Sequence, residues 1–318
     1  MGVGGQESGV GETVRNDPFL VSPRLPPWRR LLYQQKYVAF IFIAPSLLFL
    51  FVFIVMPIVA ALALSFSQFN LLKPPRWTGL ANYAALLGDD RFIHSILNTL
   101  IFAVVTIPTG TALALVFALF VNQQLRGIVI FRAAFYMPVV TSFVAVSLIW
   151  LWLYDQNFGV LNVLLTAIHL RPLGWLQDPK LALPSIIIMS VWKNIGYNMV
   201  IYLAGLQGIP EHLYESAELD GAGGWSKFWS ITLPLLSPTT FFVVVVWFIG
   251  ALQMFVQVLV MTQGGPLDST ITVVYLVYSN AFENLKMGYA AAMSFALFAF
   301  IGIVTYLNTR ILSYDVTY

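Results

Sequence analysis

Few residues in this 318-residue chain are of the kinds that do chemistry, and their spacing excludes most of it. There is no cysteine, which rules out a disulfide framework, a thiolate metal site and a cysteine nucleophile. His94, His169 and His212 stand far apart, without H-E-x-x-H or any other ligand spacing, so no metal is expected. No G-x-x-x-x-G-K-[ST] phosphate loop is present, so ATP has no cradle on this chain. No nucleophile, base and orienter converge, and no catalytic residue is assigned. One side chain is conspicuous. Lys193 lies inside an apolar run, where a charge is costly unless it faces water or a partner. Asn194 and Tyr197 share roughly its helical face, with Asn198 beside them. Planar polar groups next to an aromatic platform suit a sugar; the same groups could instead satisfy one another or join neighbouring helices.

The elements that must hold these residues are membrane spans. Hydrophobic residues make up 59% of the chain and charged ones only 9%, with mean hydropathy +0.81, against about 25% charged in an ordinary soluble domain. A net charge of +2 leaves no basic stripe, so nucleic acid is not a partner. Six apolar runs are long enough to cross the hydrocarbon, near 38–63, 97–121, 133–154, 182–206, 236–262 and 287–312. None contains Asp, Glu or His, which argues against a proton relay. Residues 1–36 read as a flexible, retained cytoplasmic tail, too long and polar for a secretory signal. Basic loops stay inside. With both ends inside, nine basic residues are cytoplasmic (Arg15, Arg24, Arg29, Arg30, Lys36, Arg126, Arg132, Lys227, Arg310) and six external (Lys73, Arg76, Arg91, Arg171, Lys180, Lys286). The expected fold is an all-α membrane protein of six transmembrane helices, N-in and C-in. Pro45, Pro57 and Pro138 are candidate kinks, and Trp150, Trp152 and Tyr154 read as an interfacial belt.

The loop between the fourth and fifth spans is the most informative stretch. Ile209–Pro238 reads as a short helix, a glycine turn and a second short helix. Pro210 suits the first helical position and Glu211 the first turn; Tyr214 and Ala217 give an apolar face; Gly221, Gly223 and Gly224 stop the helix. Glu215-Ser216-Ala217, then Gly221, then Ile231-x-Leu233-Pro234 resembles the E-A-A…G…I-x-L-P signature of permease subunits of ATP-binding-cassette importers, with Ser in place of the first Ala. Leu203-Ala204-Gly205-Leu206-Gln207, Gly264-Gly265-Pro266, Gly79-Leu80-x-Asn82-Tyr83, Asn98-Thr99 and Trp192-Lys193 resemble the carbohydrate branch, which includes the maltose and glycerol-3-phosphate permeases. The likeness extends from about residue 36 onward.

That resemblance implies a type I importer permease fold, with residues 37–318 as the transmembrane domain and 209–234 as a cytoplasmic coupling loop that docks on an ATPase. Tyr214, Glu215, Ser216, Ala217, Asp220, Gly221, Ile231, Leu233 and Pro234 would form the coupling element. It implies as partners a second, similar permease making a heterodimer, two ATP-binding subunits carrying ATP and Mg, and an external solute-binding protein. This chain itself would need no cofactor, and its place would be a bacterial or archaeal inner membrane. By position, the sugar contacts of the maltose permease correspond to Lys193, Asn194, Tyr197, Trp247, Gly250, Ala251 and Met254, of which Tyr197 alone keeps its residue type. Gln253 and Gln257 would offer amides on another side of the fifth span, to serve this solute or the interface with a partner instead. The alternative reading, an ion-coupled carrier or channel working without ATP, leaves the loop signature unexplained.

Overall fold

The computed structural model describes residues 35–123 and 127–312. Most of the expected N-terminal tail, residues 1–34, and Arg126 therefore lie outside the described residues. Two compact units are distinguished, the first ending at Val59 and the second beginning at Ala60.

Helix α1 (Gln35–Leu50) runs through a π turn (Phe51–Val55) into α2 (Met56–Ser65). Proline explains the π turn: Pro57 offers no N–H and its ring crowds the carbonyl four residues back, so the preceding turn widens. Side chains along this span, from Phe42 to Val59, are largely exposed, as suits a surface meant for lipid or another subunit.

In the second unit, a two-stranded antiparallel ribbon, β1 (Ser67–Gln68) and β2 (Arg76–Trp77), leads to α3 (Ala81–Leu87) and the long α4 (Asp90–Val121). Asp89 caps α4, its carboxylate accepting from the N–H groups of Arg91 and Phe92. Then come α5 (Ile128–Val140), α6 (Phe143–Leu153), α7 (Val160–Ala167) and α8 (Ala182–Gln207). The 209–234 loop holds α9 (Glu211–Leu219) and α10 (Gly224–Lys227), a π turn (Phe228–Thr232) and α11 (Leu233–Leu235). After it follow α12 (Ser237–Leu252), α13 (Val256–Met261), α14 (Val273–Tyr278), a π turn (Ser279–Glu283) and α15 (Met287–Leu312).

Among the described residues, four helical stretches are long and apolar enough to cross a membrane, six if two bent pairs each count as one span. The expected third span is broken: α5 and α6 meet at 101°, two residues after Pro138, with Thr141 and Ser142 extended between them. The expected fifth span is also interrupted, because α12 stops at Leu252 and Gln253–Phe255 are not helical. Pro138 marks the first break as a candidate kink, two residues before α5 ends, whereas the apolar run through Gln253–Phe255 carries no mark of the second.

The core gathers around α8. Gly196 lets it approach α5 until a Cβ would collide with the carbonyl of Phe135. Gly205 faces Thr239 near one end of α12, while Ser190 reaches Gln257 just beyond the other, so α8 and α12 run antiparallel. Gly110 of α4 abuts the indole of Trp247. At the end remote from the 209–234 loop, Asn98 of α4 donates to the carbonyls of Asp268 and Ile271, both at 3.1 Å, and Arg91 grips Asp268 with two 2.9 Å bonds. Trp150 and Tyr154 turn inward rather than forming a belt. Tyr154 is buried and donates to the Ser185 carbonyl at 2.8 Å, Trp150 meets Trp192 edge-on, and only Trp152 stays exposed.

Candidate functional site

Two features carry the predicted site residues. The first is a cavity of about 230 Å³ between α4, α8 and α12, lined by Phe102, Phe143, Ser190, Asn194, Tyr197, Asn198, Val246, Trp247, Gly250, Ala251 and Gln257. Five predicted residues meet there: Asn194, Tyr197, Trp247, Gly250 and Ala251. The amide N–H groups of Asn194 and Asn198 are turned back onto α8, donating to the carbonyls of Ser190 (2.8 Å) and Asn194 (3.2 Å). Each amide oxygen remains available as an acceptor. Tyr197 presents its ring at 42% exposure, and Trp247 supplies a second, buried aromatic wall.

Lys193 and Met254 do not line this cavity. The Lys193 ammonium donates to the carbonyls of Pro138 (2.9 Å), Val139 (3.3 Å) and Thr141 (2.8 Å), and lies 4.4 Å from the centroid of the Phe143 ring. It therefore serves the orphan carbonyls at the end of α5, where a cation also suits the helix dipole. Met254 falls in the break after α12, where its carbonyl accepts from Thr272 Oγ1. Beyond the same break, Gln257 reaches the cavity, the first of the two roles open to it. Ser190, Phe102, Phe143 and Val246 were not anticipated; Ser190, four residues before Asn194 on the same helical face, was the findable one.

The second feature is the 209–234 loop, the expected coupling element. Pro210 is the N-cap residue with extended dihedrals, one position earlier than expected, and Glu211 opens the helix. At the other end Asp220 is the C-cap residue and Gly221 takes φ +78°. The Gly221 N–H bonds the carbonyl of Glu218 at 2.9 Å and the Ala222 N–H that of Ala217 at 2.8 Å, the paired closure of a Schellman turn. A Cβ on Gly221 would meet open space, so the backbone alone requires glycine. Tyr214 Oη lies 3.0 Å from Thr232 Oγ1 and ties α9 to the second half of the loop. Lys227 pairs with Glu218 at 2.5 Å, and this bond, with the charge behind it, holds the Glu218 carboxyl below the usual carboxylate range. Ser216 Oγ bonds the His212 carbonyl. Ala217 and Leu233 are half-buried, Ile231 packs on the core, and Glu215, Asp220 and Pro234 face outward.

Residues 78–314 match the family described as the binding-protein-dependent transport system inner membrane component. The chain belongs to this family. The permease is 35% identical over 276 residues to the lactose transport system permease protein LacF of Rhizobium radiobacter, covering 84% of this chain and 91% of the relative. It is 33% identical to the sn-glycerol-3-phosphate transport system permease protein UgpA of Agrobacterium fabrum, covering 91% and 99%. Among solved structures, it resembles a chain of a bacterial alginate ABC transporter in complex with an alginate pentasaccharide-bound periplasmic protein. There the TM-score is 0.79 at 21% identity, over 91% of the permease and 99% of that chain. The permease thus has the fold of an importer's membrane subunit, and the signature residues have structural roles. Asn82 donates to the carbonyls of Ser65 and Ser67, and Thr99 Oγ1 accepts from the Val273 N–H.

Proposed function

We propose that this permease forms half of the translocation pore of an ATP-driven importer for a sugar, oligosaccharide or polyol derivative. The observation that carries this reading is the mid-chain cavity. Amide oxygens of Asn194 and Asn198, the Ser190 hydroxyl and the Gln257 amide alternate there with the rings of Tyr197 and Trp247, and sugars need acceptors, donors and flat apolar faces together. Open on one side, it is half of a site that a second permease would complete. The relatives named for lactose and glycerol-3-phosphate transport support this solute class.

In this reading the coupling region faces the cytoplasm, with both ends of the chain inside a bacterial or archaeal inner membrane. Helix α9 enters a groove on an ATPase subunit that carries ATP and Mg. Glu215, exposed and unburdened by packing, pairs with a cation of that subunit, and the Gly221 turn makes the helix a rigid knob. A loaded external binding protein delivers solute to the opposite face. The test is solute uptake by vesicles containing the permease and its co-encoded subunits. Uptake should stop when the ATPase cannot hydrolyse ATP, and Asn194→Leu should raise the half-saturating solute concentration. Uptake that persists without hydrolysis refutes the importer reading.

A further inference from the structure

A second polar cavity, of about 590 Å³, lies at the end of the molecule remote from the coupling region. Its position follows from the packing. Asp89, the cap of α4, accepts from Tyr289 Oη at 2.6 Å, and the start of α4 is at the end where Asn98 grips the 268–271 loop. The walls come from the ribbon and α3 on one side (Gln68, Phe69, Asn70, Asn82) and from the start of α15 on the other (Asn284, Lys286, Tyr289).

The frame of this cavity is fixed. Asn82 donates to the carbonyls of Ser65 and Ser67 at 2.8 and 3.0 Å. The Gly288 N–H bonds the Phe69 carbonyl, and a Cβ on Gly288 would collide with the carbonyl of Ser67. Asp89 is held by the N–H groups of Arg91 and Phe92 on one oxygen and by Tyr289 Oη on the other. Its other polar groups are free. Among the described residues, the side chains of Gln68, Asn284 and Lys286 have no protein hydrogen bond. Asn70 uses only its amide oxygen, on the Lys73 N–H, and Asn82 only its amide nitrogen.

We propose that this cavity is a second carbohydrate site, on the external face of the permease, for a neutral hydroxyl-rich ring. The mixture of free groups decides the ligand class. Donors (Lys286, Gln68, Asn284, the Asn70 amide) alternate with acceptors (the oxygens of Gln68, Asn284 and Asn82), and a hydroxyl is the ligand group that both donates and accepts. A phosphate or carboxylate would use only the donors and would meet those amide oxygens and the Asp89 carboxylate. The rings of Phe69 and Tyr289 offer a wall for the apolar face of a sugar. The volume falls within the usual range for small-molecule sites, roughly 300–1,000 Å³. The external placement and the choice of a sugar rest on the importer reading above.

The test is saturation-transfer NMR on the permease complex in nanodiscs, prepared without glycoside detergents. The probes are glucose, lactose and raffinose, set against sn-glycerol 3-phosphate and glucuronate. Neutral saccharides should give the stronger signal. Gln68→Leu with Asn284→Leu, and Lys286→Met alone, should each cut that signal at least several-fold, while Asn194→Leu in the inner cavity should leave most of it. All three outer residues tolerate change without disturbing the frame, and co-purification of the ATPase reports that the complex is intact. No saccharide signal, a stronger signal from the anions, or a signal unchanged by the outer variants would overturn the proposal. Failure of the importer reading itself would show separately, as uptake independent of ATP hydrolysis.

Discussion

Lys193 donates to the carbonyl of Pro138 at 2.9 Å and so joins the middle of α8 to the end of α5. A lysine buried to 3% exposure thereby satisfies backbone groups released by a 101° bend. Phe143, which the ammonium faces, lines the inner cavity, so Lys193 shapes that cavity from behind.

Replacing Lys193 by Met should leave the carbonyls of Pro138 and Thr141 without donors, at about 1–3 kcal/mol for each unsatisfied group. The thermal unfolding midpoint of the purified complex should fall by on the order of 5 °C or more. An unchanged midpoint would mean that these bonds do not support the bend.

At Gly221 the cost of a side chain is conformational. Gly221→Ala places a Cβ in open space but at φ +78°, a strain of roughly 1–2 kcal/mol. The expected result is a frayed α9, weaker ATPase capture in a pull-down and reduced uptake, with permease yield in the membrane unchanged. Equal capture by Ala and Gly forms would show that the Schellman turn is dispensable.

The Glu218–Lys227 pair makes the loop sensitive to acid. Its folded-state carboxyl titrates below the unfolded one, so the pair contributes above the unfolded value, about 4.3, and its contribution is lost as pH falls through the lower folded value. Hydrogen exchange of residues 211–224, corrected for intrinsic rates, should lose protection between pH 7 and pH 3.5. Glu218→Gln should flatten most of this change; the same acid response in the variant would assign it to other groups. High salt should mimic the effect in part, because Glu218 is 65% exposed.

Gly110 provides a test of the inner cavity that alters no cavity-lining residue. Gly110→Ala drives a methyl group into the indole of Trp247, which must swing into the cavity or away from α4. The half-saturating solute concentration should change at least several-fold while ATPase capture stays normal. Unaltered uptake kinetics would remove Trp247 from the solute path.

Much of this was legible in the sequence, and the exceptions have physical causes. Apolar length marks the spans because a bilayer tolerates little else, and the glycine turn at 221 is legible because only glycine occupies that dihedral region cheaply. The bends at Thr141–Ser142 and Gln253–Phe255 leave no mark in hydropathy. Consequently helical spacing brought Asn194 and Tyr197 to one cavity, but Lys193 on the same face turns away to α5; Met254, placed by its correspondence to the maltose permease, falls in the break after α12, and Gln257 reaches the cavity from beyond that break. The mid-span charge of Lys193 was evident, but its partners were not: backbone carbonyls 52 to 55 residues away carry no sequence signature.

The most direct measurement of the central claim is ATP hydrolysis by the complex that co-purifies with the tagged permease in nanodiscs, with Glu215 intact or changed to Ala. The wild-type chain should bring down an ATPase whose activity rises with the loaded binding protein, and Glu215→Ala should lose most of the captured ATPase and its hydrolysis. Well-folded wild-type permease that captures no ATPase, or a Glu215→Ala complex with full capture and full stimulation, would contradict it.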